Sequence, residues 1–354
     1  MRSRIDALRA NLDGPILITG HTGFKGTWLT LLLEKMDIEV VGYSKAPRSG
    51  SLFEKLKRQA KIDEHLGDIR DVEKFERFLN LVKPSIIFHL AAQPLVMESY
   101  RNPLETFDVN VMGTANILDT AAKADFVKLV EVVTSDKVYA NTETGKQFTE
   151  NDRLWGHDPY SASKVGTEVV CSAWRRIVEE NNINLRIVTV RSGNVIGGGD
   201  NSPGRLMTDI IEGLLTKQKI KIKNPLSTRP WQHVLDPLLG YILAADNALN
   251  LGPGDSYNFG PETKSLSVQE VLNIVQSTWP ESTDFEFQKG SLNAETKFLN
   301  LNSDKSAKNL NWVPIWTQES AVKATLNWWE SVELHNISEL DACNTDLDYM
   351  WSEL

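Results

Sequence analysis

The sequence predicts an α/β protein, a doubly wound parallel sheet with a smaller C-terminal lobe. Three observations predict it. Short apolar runs alternate with longer stretches of helical character, and a glycine-rich turn directly follows the first apolar run. The composition is also that of an ordinary globular chain, with 354 residues, 41% hydrophobic and 24% charged.

The elements follow in order. Residues 15–20 (Pro-Ile-Leu-Ile-Thr-Gly) are apolar and end at glycine, which fits a strand buried on both faces. Residues 27–36 present a broad apolar face and read as a helix, and 39–43 form the next strand. Together they close a strand–helix–strand unit within about 30 residues. Further strands are expected at 85–90, 129–134 and 185–190, with helices at 105–123 and 160–180. Beyond residue 194 the alternation loosens into a Gly-rich loop and stretches rich in Pro, Asn and Ser. The sequence contains no internal repeat, and the mixed, acidic stretch after about 330 suggests no role.

Charge and cysteine usage narrow the function. A net charge of -9 excludes nonspecific binding to nucleic acid or to an acidic membrane surface, yet leaves room for an anionic small ligand held by a few basic residues. Cys171 and Cys343 stand far apart, and the six histidines show no paired ligand spacing, so no structural metal is expected. A reduced, cytoplasmic setting is the simplest expectation. The first residues lack the apolar core of a signal peptide, and no apolar run reaches the roughly 18 residues needed to span a bilayer. The chain is expected to be soluble.

Gly20-His21-Thr22-Gly23-Phe24-Lys25-Gly26 lies between the first strand and the first helix. Glycine lets backbone turn sharply and approach a pyrophosphate, and the helix N-terminus supplies unpaired N–H donors. In this context the loop predicts a bound dinucleotide and a Rossmann-type sheet. We therefore expect an NAD(P)-binding domain over 1–193, its sheet completed by parts of 225–260, and a mainly substrate-binding lobe, interleaved with it, over 194–354. The acid that usually holds the adenosine ribose after the second strand is absent from Tyr43-Ser44-Lys45-Ala46-Pro47-Arg48. Lys45 or Arg48 would tolerate a 2′-phosphate, so NAD and NADP both stay open here. Asp68, in Gly67-Asp68-Ile69-Arg70-Asp71, either meets the adenine or belongs to a solvated turn.

Tyr160 and Lys164 stand four residues apart on one helical face. An ammonium beside a phenol stabilises the phenolate and is expected to lower the tyrosine pKa toward neutrality. Such a tyrosine takes a proton from a sugar hydroxyl while hydrogen leaves the same carbon with its electrons. The strand before it ends in Thr134-Ser135-Asp136-Lys137, where a hydroxyl points toward the ligand crevice. Asp136 and Lys137 exceed the needs of a plain dehydrogenation. An adjacent acid and base suit elimination, one removing a proton and the other protonating departing water; the alternative is an ordinary charged turn.

Six motifs together resemble the CDP-glucose 4,6-dehydratases, nucleotide-sugar enzymes of the extended short-chain dehydrogenase/reductase family. They are the glycine loop 20–26, His89-Leu90-Ala91-Ala92-Gln93-Pro94-Leu95-Val96, Thr134-Ser135-Asp136-Lys137, Gly156-His157-Asp158-Pro159-Tyr160, the stretch 191–200 (Arg-Ser-Gly-Asn-Val-Ile-Gly-Gly-Gly-Asp), and Arg229-Pro230-Trp231-Gln232-His233-Val234. They run in consistent order from about 14 to 330. The resemblance implies conversion of CDP-D-glucose to CDP-4-keto-6-deoxy-D-glucose, a step of deoxysugar biosynthesis of the O-antigen and lipopolysaccharide kind. Tyr160, helped by Lys164 and Ser135, would deprotonate the C4 hydroxyl while NAD takes the hydrogen. Lys137 would remove the C5 proton, and Asp136 would protonate the departing C6 hydroxyl. The resemblance further implies cofactor contacts from Gly20, Thr22, Gly23, Phe24, Lys25, Gly26, Asp68, Ile69, Leu90, Ala91, Ala92, Gln93, Asn110, Thr134, Tyr160, Lys164 and Ser192. Gln93, Asn194, Arg205 and Arg229 would contact the sugar nucleotide, and two subunits would pair as a homodimer. Trp231 reads as core.

Asn201-Ser202-Pro203-Gly204-Arg205 contains no aromatic residue, which leaves room for another nucleotide or hexose. The nearest alternatives are a 4,6-dehydratase of GDP- or UDP-hexoses and a nucleotide-sugar 4-epimerase. An epimerase needs Tyr160 and Lys164 but not Asp136 and Lys137. A noncatalytic NAD(P) sensor would not need the tyrosine–lysine pair, and a structural subunit leaves the ordered motifs unexplained.

Overall fold

Seven short strands make one sheet in which every neighbouring pair is parallel. They are β1 (Ile16–Thr19), β2 (Val40–Ser44), β3 (Asp63–Leu66), β4 (Ile86–His89), β5 (Leu129–Val133), β6 (Arg186–Ser192) and β7 (Ser256–Phe259), in the spatial order β3-β2-β1-β4-β5-β6-β7. The structure is a computed structural model describing residues 1–251, 254–281, 284–288 and 298–354. Residues 252–253, 282–283 and 289–297, part of the expected sheet-completing stretch and lobe, lie outside the described residues.

The central strands are buried along their whole length because helices cover both faces, which is why they read as unbroken apolar runs. One face packs against α1 (Arg2–Ala10), α2 (Phe24–Lys35) and α7 (Leu235–Leu251) through Ile16, Ile18, Phe88 and Val188. The other packs against α3 (Val72–Val82), α4 (Gly113–Ala122) and α5 (Pro159–Glu180) through Leu17, Ile87, Val130 and Ile187. The order of strands reverses between β1 and β4, so a crevice opens at their carboxyl ends.

The structure departs from expectation in three places. The helix expected over 105–123 is broken into Pro103–Phe107, a π-helical turn at Asp108–Met112, and α4. That turn leaves the Asn110 carbonyl to accept from the Thr114 and Thr167 hydroxyls at 2.7 and 2.8 Å, a local solution with no periodic signal. The edge strand β3 reads Asp-Glu-His-Leu, polar enough to hide its strand character. The acidic tail is part of the core. After α6 (Leu206–Thr216) and α8 (Val268–Thr278) come α9 (Gln318–Glu333) and α10 (Glu339–Glu353), and the last two bury Trp328, Cys343, Leu347 and Met350 against the sheet's helices. Trp328 packs so closely on Gly198 that a Cβ there would overlap the indole ring. His233 stacks on Trp316 at 4.2 Å and places Nε2 3.3 Å from Asp346 of α10. Lys35 of α2 pairs with Asp348 of α10.

Among the described residues no helix is long and apolar enough to cross a membrane. If α10 belongs to the core, Leu347→Ala should lower stability to urea by about 2–5 kcal/mol. A change below about 0.5 kcal/mol would make it a surface appendage.

Candidate active site

The glycine turn lies where the crevice opens. Gly20 has φ +78°, and a Cβ there would sit 2.7 Å from the Ala91 nitrogen. Gly26 packs on the Gly20 carbonyl and leaves no room for a Cβ. Gly23, exposed, is the extended residue that starts α2 and donates to Gly20 O at 3.1 Å. The result is a bare backbone cradle at a helix N-terminus, which fits the pyrophosphate of a dinucleotide. Thr22 closes one side, its hydroxyl 2.8 Å from Ser44 Oγ and donating to Lys45 O. Phe24 is half-buried against the glycine run at 197–199.

His21 and Lys25 both turn inward. His21 fills the space over Gly42, with Nε2 2.7 Å from Glu64. Burial lowers its pKa, against the pull of that carboxylate. Lys25 Nζ donates to Ser192 Oγ at 2.7 Å and to Tyr241 OH at 3.1 Å. Burial first, then the nearby Arg205, Lys164 and Lys137 charges, bring its pKa down to about 7, while Asp136 works the other way.

On the adenosine side, the end of β2 presents Ser44 and Lys45 rather than a carboxylate. Asp68 is already engaged. It accepts from the Arg70 backbone and guanidinium, and Lys45 Nζ stands 3.0 Å away. The Arg70 hydrogen bond is the largest influence holding the Asp68 carboxyl well below its usual range. Both cations considered for a 2′-phosphate are occupied, Lys45 by Asp68 and Arg48 by the Asn201 carbonyl at 2.7 Å. Ile69 is buried against Gly113. Leu90, Ala91 and Ala92 follow β4, half-buried at the crevice, with Ala91 N donating to Thr19 Oγ1.

Gln93 and Asn110 serve each other. Gln93 N donates to Asn110 Oδ1 at 2.7 Å, and Asn110 Nδ2 donates to Gln93 O and, at 2.8 Å, to Ser163 Oγ on α5. The Gln93 side chain is spent on Leu95 and Thr106, so it folds onto its own loop. Thr134 is likewise directed inward, donating to Glu168 at 2.6 Å.

Ser135, Asp136, Tyr160 and Lys164 come together, all less than 9% exposed. An Asp158 cap and Pro159 start α5, and the cap sets Tyr160 in its first turn. Lys164, one turn on, donates to the Val133 carbonyl at 3.0 Å. Burial lowers its pKa to about 8, with Cys171 and Glu168 opposing. Burial also raises Tyr160, to about 12, although Ser135 and Arg205 favour the phenolate. The expected lowering of Tyr160 is thus reversed in this state. Desolvation dominates, and the Lys164 ammonium is held on the strand carbonyl. Ser135 Oγ donates to Asp136 Oδ1 at 3.0 Å, Lys137 Nζ lies 3.5 Å from the same carboxylate, and Asp136 Oδ2 is buried without a partner among the described residues.

Asn194 is half-buried, its carbonyl accepting from Gln232 N. Arg205 pairs with Asp200 at 2.7 Å and is close enough to bear on both Tyr160 and Lys25. Arg229 is buried and donates to Thr228 O. Trp231 is core. Sequence reasoning missed Tyr241, which anchors Lys25 and Ser192 from α7 and whose only signal is a lone phenol within the apolar run 237–245 of that helix. It also missed Glu168, whose signal is the helical spacing from Lys164. Among the described residues no cluster of three or more potential ligands is placed to hold a metal.

The pattern of the NAD dependent epimerase/dehydratase family matches residues 16–260. The CDP-glucose 4,6-dehydratase of Salmonella typhimurium is 39% identical over 323 residues, covering 88% of this chain and 89% of its own. Two solved structures share the fold. A UDP-glucose-4-epimerase from Stenotrophomonas maltophila with bound NAD and formylated UDP-arabinopyranose has TM-score 0.80 and 19% identity, covering 91% of this chain and 99% of its own. A dTDP-glucose 4,6-dehydratase from Streptomyces venezuelae with NAD and TYD bound has TM-score 0.77 and 23% identity, covering 89% and 96%.

Lys164 is protonated below about 8 and loses its charge above it. Any activity that uses this ammonium to support a phenolate should be present below that pH and fall as pH rises through it. A rate profile that stays flat to about pH 10 would remove the ammonium from the chemistry.

Proposed function

The chain belongs to the NAD dependent epimerase/dehydratase family, and on that premise we propose that it is an NAD-dependent nucleotide-sugar 4,6-dehydratase converting CDP-D-glucose to CDP-4-keto-6-deoxy-D-glucose. One observation carries elimination over epimerisation. Asp136 is 1% exposed, stands beside Ser135 and Lys137, and keeps one oxygen without a partner among the described residues. A 4-epimerase has no use for that acid and base.

The backbone cradle at Gly20, Gly23 and Gly26 would hold the pyrophosphate, with Thr22, Phe24, Leu90, Ala91, Ala92 and Ser192 around the rest of the cofactor. When bound, NAD supplies a cationic ring that takes hydrogen and an electron pair from C4 and returns them to C6. The residues manage the protons. Tyr160 accepts the C4 hydroxyl proton, with Ser135 bridging the oxygens and Lys164 supplying the nearby charge. The C4 ketone acidifies the C5 hydrogen, which the Lys137 amine removes. Asp136 donates the proton with which the C6 hydroxyl leaves as water, and Lys137 returns a proton to C5. The balance is loss of one water, without net oxidation. Arg205 and Arg229 would bind the diphosphate, a group whose oxygens match the guanidinium fork.

Exposed Tyr100, Leu104, Phe107, Met112, Val169 and Ile177 lie on the neighbouring stretches 96–112 and α5. We propose that this face pairs with a second copy, and that the homodimer works in the cytoplasm on deoxysugar precursors of the O-antigen kind. Equilibrium sedimentation should read twice the chain mass, whereas a single chain mass would refute the pairing.

The substrate is tested by incubating protein and NAD with CDP-, GDP-, UDP- and dTDP-hexoses and following mass. Loss of one water from CDP-glucose is expected. Loss from another nucleotide sugar would move the substrate, and isomerisation without water loss would favour the epimerase. Lys137→Met should still form bound NADH with the true substrate but release little product. Product at the wild-type rate would take Lys137 out of the elimination.

A further inference from the structure

The segment that carries Ser135, Asp136 and Lys137 is fastened at both ends to one buried ion pair. Glu168 on α5 and Arg191 on β6 are each 3% exposed, and two parallel hydrogen bonds join them at 2.7 and 2.9 Å. Before the segment, the Thr134 hydroxyl donates to Glu168 Oε1 at 2.6 Å. After it, Arg191 donates to the Tyr139 hydroxyl at 2.9 Å, and that hydroxyl donates to Asn258 on β7 at 2.6 Å. Thr189 supplies the fourth donor to the carboxylate, at 2.9 Å.

The carboxylate is thereby saturated. Burial works against its charge, but Arg191 and the two threonine hydroxyls hold its pKa below the usual range. A buried ion pair is a weak source of stability compared with apolar packing of the same volume, whereas its fixed geometry specifies position well. This pair stands where position matters. Val133 is held by Lys164, Thr134 by Glu168, and the next residue, Ser135, adjoins Tyr160. Three successive residues at the end of β5 thus meet three residues of α5.

We propose that Glu168 and Arg191 are positioning residues, a clamp that sets Ser135, Asp136 and Lys137 against Tyr160 and Lys164. The inference rests on the dehydratase reading of the same site. Neither member of the pair is a catalytic residue, because both are enclosed by protein groups.

Changing the ion pair itself risks the fold, so the test removes one hydroxyl from each end and leaves the pair in place. In steady-state turnover with NAD and the nucleotide sugar that wild type dehydrates, Thr134→Val and Tyr139→Phe should each lower kcat about tenfold, the scale of a small misplacement, with KM within about twofold. Thr134→Ser, which restores the hydroxyl, should recover most of the rate. Unchanged kcat in both variants, with only a lower melting temperature, would overturn the clamp and leave the pair structural. Failure of Thr134→Ser to rescue would overturn it too. If wild type itself oxidises no nucleotide sugar, the dehydratase reading falls and the clamp falls with it.

Discussion

The geometry of the site depends on a buried ammonium. Lys164 lies in the sheet's crevice with no carboxylate among the described residues in hydrogen-bonding contact, donating to the carbonyl at the end of β5. Burying a cation is costly unless something polar receives it, and here the strand's last carbonyl does so. That contact fixes α5 relative to β5 and places the Tyr160 phenol next to Ser135. A parallel sheet turns the ends of β1, β4, β5 and β6 toward one crevice, so the glycine cradle, the Ser-Asp-Lys segment and the Tyr–Lys helix meet there although about 140 residues separate them in the chain.

Electrostatics give the crevice a sign opposite to that of the whole molecule. The chain carries -9, yet Lys137, Lys164 and Arg205 all bear on Lys25, with Asp136 as the opposing charge. Burial and repulsion from the neighbouring cations lower Lys25, burial lowers Lys164, and burial raises Tyr160. An anionic diphosphate offsets the cations, and a group that favours the phenolate draws Tyr160 toward the ionised form. Ligand binding and the readiness of the base are thus linked through the same charges.

Much of this was legible in the sequence because its signals are local. The run 15–20 followed by glycines, and Tyr160 four residues before Lys164, depend only on neighbours along the chain. What was missed depends on partners far away. β3 is a polar edge strand, recognisable only beside β2. The π-turn at Asp108–Met112 exists because the Asn110 carbonyl serves Thr114 and Thr167. Asp68 looked available for adenine because Lys45 stands 23 residues before it. The acidic tail hides a buried stripe of Cys343, Leu347 and Met350 at helical spacing, diluted by charges on the outer face. Glu168 was visible at one turn from Lys164, but its partner Arg191 lies on a strand.

The central claim is that hydrogen leaving C4 ends on C6 while a proton is exchanged at C5. The most direct measurement uses CDP-glucose deuterated at C4 and C5, incubated with the protein and NAD in ordinary water, with the product read by NMR. The account predicts deuterium at C6 and a solvent hydrogen at C5 of a 4-keto-6-deoxy sugar. Loss of the C4 deuterium to water, its retention at C4 of an isomerised sugar, or deuterium kept at C5 would contradict it.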